Sequence, residues 1–136
     1  MQKKLLITTG ILGCLAVILG AFGAHALAEK LSSSQLNTYQ TGIQYHYYHT
    51  LALLGVLAIR NQYTTATWLY RAAFCFIVGI LFFSGSIYLL ACQELLSLQK
   101  WVKIIGPITP IGGLFFILGW LMLIIQAIQF PNTEQK

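Results

Sequence analysis

Aspartate is absent from this chain of 136 residues, and its three glutamates, Glu29, Glu94 and Glu134, face eight lysines and arginines. Charged residues make up 8% of the sequence, whereas soluble domains carry about 25%. That is too little charge to coat a water-soluble globule, so a soluble domain is excluded. The formal charge is +5, yet the basic residues stand singly or in pairs between apolar stretches and form no basic run. A nucleic-acid footprint is therefore absent; cations placed this way orient a chain in a membrane. The three cysteines, Cys14, Cys75 and Cys92, make no CxxC pair and are odd in number, which removes a zinc ribbon or a disulfide framework. Period-2 alternation is also missing, and with it a transmembrane β-barrel.

What is present is apolar: 57% of residues are hydrophobic, gathered into long segments. The first, Leu5 to Leu27, follows Lys3 and Lys4 and ends near a small-residue "AHA", as a secretion signal would. It runs to about 23 residues, against about 7 to 15 for a signal core, and spans roughly 34 Å. Ala16, Gly20, Ala24 and Ala28 recur along it, a stripe that lets another helix approach closely. The segment reads as a retained transmembrane helix.

The whole chain reads as one all-α domain, residues 1–136, an integral membrane four-helix up-down bundle with helices over about 5–27, 43–60, 66–91 and 104–130. Short links make consecutive helices antiparallel neighbours. Pro107 and Pro110 place the start of the fourth helix near Pro107, since proline is tolerated in a first turn. Four crossings put both termini on one side, with Lys3, Lys4, Arg60, Arg71 and Lys136; Lys30, Lys100 and Lys103 lie on the other. The positive-inside rule then places both termini in the cytoplasm of a bacterial inner (plasma) membrane.

With that topology the unusual residues fall in the outer leaflet. His25 ends the first helix, while Tyr45, His46 and His49 open the second. Ser84 and Tyr88 share a face of the third, and Thr109 starts the fourth. These seven are the candidate ligand-binding residues, and the three imidazoles are expected to lie near one another. Imidazoles from two helices suit a metal or haem iron; equally, a His hydrogen-bonded at the interface beside Tyr45, Tyr47 and Tyr48 needs no ligand.

Four stretches, "GAFGAHAL", "TGIQYHYYHTLAL", "GILFFSGSIYLL" and "GPITPIGGLFFILGW", resemble in order the motifs of the YgdD/YwdK family of small bacterial inner-membrane proteins, a domain of unknown function. The resemblance implies a four-helix integral membrane protein and supplies no reaction, catalytic residue or cofactor. From the residues themselves, the leading expectation is a non-enzymatic accessory or ligand- or lipid-binding bundle whose one evident partner is the lipid bilayer. Two alternatives stand beside it. One is a proton- or cation-coupled transporter acting as a homo-oligomer, for which only histidine lies deep enough in the membrane to serve. The other is a haem- or metal-binding protein using His25, His46 and His49. Neither the carboxylate–histidine pairs of di-iron bundles nor a nucleophile–base pair is recognisable.

Overall fold

The computed structural model describes residues 2–63 and 65–129. They form an all-helical membrane bundle of four antiparallel rods. The first is α1 (Gln2–Ala24) and the second α2 (Ser33–Ile59). The third is composite: α3 (Thr67–Gly79) runs through a π-helical turn, Ile80–Ser84, into α4 (Gly85–Ala91). A short 3₁₀ turn (Gln99–Trp101) and α5 (Val102–Ile105) lead into the fourth rod, α6 (Ile108–Gln129). Gln2 and Gln129 lie at the same end of the bundle, termed here the near end. The hairpins 25–32 and 92–107 close the far end.

Three of these rods are long and apolar enough to cross a membrane: α1, the composite Thr67–Ala91, and Gln99–Gln129. The second rod has the length, about 40 Å at 1.5 Å per residue, but it carries the polar residues. It starts at Ser33 rather than Ile43. Ser32 and Gln35 form a capping box: the Gln35 amide donates to Ser32 Oγ (3.3 Å) and the Ser32 amide to Gln35 Oε1 (2.9 Å). With its first amides satisfied, the polar stretch that reads as a loop coils into three extra turns. His46 and His49 therefore lie in the middle of α2, not at its start.

Spacings of three and four bring Leu5, Thr9, Leu12, Ala16 and Gly23 to one buried side of α1. Contacts fix the register against α2. A Cβ at Gly13 would meet Thr50, one at Gly20 would sit 3.8 Å from Ile43 Cγ2, and one at Gly23 would run into the Tyr39 ring. The Tyr39 hydroxyl donates to the Leu19 carbonyl at 3.0 Å. Ala16 and Gly20 of the predicted stripe belong to this interface. Ala24 is exposed, because a strict four-residue repeat drifts around a 3.6-residue helix.

The third and fourth rods pack more tightly. Phe116 lies over Gly79 and Phe76 over Gly119, where an added Cβ would come within 2.5 Å of the facing ring in each case. At Gly112 it would meet the backbone of Phe82 and Phe83, so the two main chains touch at the π-turn. Pro107 precedes α6 and Pro110 sits in its first turn, where no helical hydrogen bond is lost. Two apolar clusters result, one around Leu53, Leu69 and Phe76 and a smaller one around Leu27, Tyr39 and Cys92 at the far end.

Candidate functional site

Between those clusters lies a layer of buried polar side chains: His46, His49, Thr50, Ser84 and Ser86. His49 is 5% exposed and lies flat on Phe116, ring centroids 3.4 Å apart and planes 7° from parallel. Its Nδ1 is 2.8 Å from the Tyr45 carbonyl, which can only accept, and its Nε2 is 3.3 Å from Trp120 Nε1, which can only donate. The two partners assign one neutral tautomer, protonated on Nδ1. Proton and lone pair are both spent within the protein.

His46 is also buried, with Nδ1 3.1 Å from the Tyr88 hydroxyl. The Leu12 backbone of α1 lies beside the ring, whose Nε2 has no hydrogen-bond partner among the described residues. Gly42, one turn earlier, is what admits Tyr88: a Cβ there would come within 2.8 Å of its ring. Ser86 donates to the Phe83 carbonyl at 3.0 Å, which uses its only proton, so Thr109 is the donor in the 2.7 Å Ser86–Thr109 contact. That pair ties α4 to the start of α6 beside the π-turn. Ser84, fully buried within the turn, has no hydrogen-bond partner among the described residues. The wide i→i+5 ring moves its hydroxyl away from the carbonyl that a regular helix would offer.

The candidate residues thus separate. His46, His49, Tyr45, Ser84, Tyr88 and Thr109 all border this layer. His25 does not: it is exposed in the first turn after α1. The α1–α2 register sets Leu12 beside His46 and Gly23 beside Tyr39. His25 is therefore about 9 to 13 residues of helix, or roughly 14–20 Å, from the level of His46. The expected trio of imidazoles is not assembled, and no group of three His, Cys, Asp or Glu able to hold a metal occurs among the described residues. Depth explains the difference, since starting α2 at Ser33 carries His46 and His49 inward while His25 stays at the far end.

Several residues that matter here were not singled out in the sequence. In the sequence, Trp120, Phe116 and Phe83 read as ordinary apolar positions. With Tyr45, Tyr48 and His49 they wall a groove of about 780 Å³ between α2 and α6, floored by Gly113 and Pro110. Gln126, 1% exposed, donates to the Thr65 carbonyl at 2.7 Å. Its signal was available, as a lone amide in the run "LMLIIQAI".

Residues 19–113 match the family model "Protein of unknown function (DUF423)". The chain belongs to this family. It is 38% identical over 135 residues to the UPF0382 membrane protein YwdK of Bacillus subtilis (strain 168), covering 95% of this chain and 99% of that one. It is also 38% identical to the UPF0382 inner membrane protein YgdD of Escherichia coli (strain K12), with 96% and 94% covered. A UPF0382 membrane protein of Staphylococcus aureus (strain bovine RF122 / ET3-1) is 42% identical, with 95% and 99% covered. No solved structure matches.

Proposed function

We propose that the protein is a non-catalytic inner-membrane bundle that takes an uncharged, ring-bearing amphipathic molecule from the bilayer into the groove over His49. The observation that carries this reading is the groove itself. It opens sideways between the middle of α2 and the first half of α6, so in a bilayer its mouth would meet lipid. Its walls are largely aromatic, with polar edges from the Tyr45 and Tyr48 hydroxyls, the composition and size usual for small-molecule sites. Because His49 already uses both ring nitrogens, a ligand meets a stacking surface there rather than a base or a metal.

A carboxylate in the bilayer would favour proton- or cation-coupled transport. Glu29 and Glu94 instead lie in the far-end hairpins, which leaves binding as the better-supported reading. The proposed setting is the inner membrane, after the printed name of the Escherichia coli relative, with both termini cytoplasmic.

Trp120 lines the groove and reports its contents. In a W68F/W101F variant reconstituted in phosphatidylcholine vesicles, bilayer-soluble aromatic carbonyl compounds are expected to quench Trp120 fluorescence saturably. Gly113→Leu, which fills the groove, should abolish the saturable component. Quenching that rises linearly and matches that of Trp101 in a W68F/W120F variant would reject the site.

A further inference from the structure

A second groove lies at the near end, on the opposite side of α6 from His49, and it is charged. It measures about 660 Å³ and runs between the end of α2, the first turns of α3 and the side of α6. Arg60 and Arg71 line it together with Tyr63 and Tyr70, and Phe74, Cys75, Leu118 and Met122 supply its apolar part, with the Phe74 ring itself exposed.

Both guanidiniums are held in place. Arg60 donates from Nε to the Tyr70 hydroxyl at 2.8 Å and from Nη1 to Asn61 Oδ1 at 2.8 Å, with its carbon 5.7 Å from the centre of the Tyr70 ring. Arg71 lies over Trp68 at 4.6 Å. Neither has a carboxylate partner among the described residues. Lys4 borders an adjoining groove that shares Tyr70 and Phe74. The near end thus collects Lys3, Lys4, Arg60 and Arg71 with no described acidic residue. At the far end, Lys30, Lys100 and Lys103 share space with Glu29 and Glu94.

We propose that this groove is a binding site for one anionic phospholipid, its phosphate held by Arg60 and Arg71 and one acyl chain lying along Phe74, Leu118 and Met122. Two fixed planar cations with free N–H edges match the oxygens of a phosphodiester. The apolar floor leads from them toward the membrane centre, as an acyl chain does. A phosphate there would also relieve the repulsion among four clustered cations. A zwitterionic lipid would bring its own ammonium into the same positive field and gain less.

The test is titration of delipidated protein in detergent, followed by native mass spectrometry, with phosphatidylglycerol, phosphatidylcholine and chain-free glycerol phosphate. One saturable phosphatidylglycerol adduct is expected. Phosphatidylcholine should bind much more weakly, and glycerol phosphate, which cannot use the apolar floor, should not bind. R60Q/R71Q should weaken the adduct about 30-fold, since each basic group near anionic lipid contributes about 1 kcal/mol and 1.4 kcal/mol is tenfold. The far-end pair K100Q/K103Q should leave it unchanged, and R60K/R71K, which keeps the charge, should bind at an intermediate level. Equal binding of the two phospholipids by the wild-type protein would overturn the proposal whatever the variants do. So would equal losses in R60Q/R71Q and K100Q/K103Q.

Discussion

Gly112 and Gly55 are both helical glycines, and the bundle treats them in opposite ways. A Cβ at Gly112 would press on the main chain at Phe82–Phe83, which cannot turn aside as a side chain can; at Gly55 nothing lies within 4 Å. Gly112→Ala should therefore destabilise by about 3 kcal/mol, the upper part of the range for overpacking. Gly55→Ala should stabilise by about 0.5–1 kcal/mol by removing backbone entropy from the unfolded chain. Thermal unfolding in one detergent compares the two directly, and a drop at Gly55 or none at Gly112 would contradict these contacts. In the sequence the two glycines look alike. Gly112 sits in a quoted motif, but nothing about its neighbours in sequence shows that the Phe82–Phe83 backbone will face it. The site residues divide in the same way. His46, His49 and Tyr88 were legible as polar groups in apolar segments. Their partners Leu12, Trp120 and Phe116 were not, because a partner across a bundle depends on rotation and register.

The π-turn Ile80–Ser84 is the element that sets that rotation for the far half of the third rod. It inserts the equivalent of one residue, and one residue of α-helix is about 100°. Deleting Phe82 should remove that extra residue and restore a continuous α-helix with Tyr88 still at His46 and Ser86 still at Thr109, whereas deleting both Leu81 and Phe82 overshoots by one residue and should swing α4 by about 100°. Cysteines placed at 86 and 109 should therefore still cross-link in the single deletion and fail to do so in the double one. Loss of cross-linking on deleting Phe82 alone would mean that the turn does not hold an inserted residue. At this scale the sequence was partly legible. The number of helices, their alternation and the start of α6 after Pro107 all followed from apolar length and proline placement. The π-turn has no comparable signal. The start of α2 did have one, since Ser32 and Gln35 spell a capping box, but a hydropathy reading gives weight to the polar loop instead.

For the molecule as a whole, the uneven ends bear on the proposed orientation. If the chain crosses four times, the positive-inside rule would make the near end, rich in lysine and arginine, the cytoplasmic one. Reporter fusions after Lys30 and after Lys100 should then both read outside the cytoplasm. A cytoplasmic signal at either would reverse or break that arrangement. The two grooves would face different leaflet depths, the aromatic one at the centre and the basic one at the inner surface, so ligands at the two should bind independently.

The less apolar composition of α2 bears on how the chain is made. Three of the rods would partition into lipid by themselves as they leave the ribosome. A rod carrying His46, His49 and Thr50 at its centre gains far less on its own; α1, already synthesised and close by, shields His46 and Thr50 with Leu12 and Gly13, while His49 waits for Phe76, Phe116 and Trp120. Translation order and packing order therefore coincide: α1 would wait at the insertion site and enter as one hairpin with α2, joined by the Tyr39–Leu19 hydrogen bond. On this view the small-residue face of α1 serves first as an escort, and only afterwards as a wall of the finished bundle.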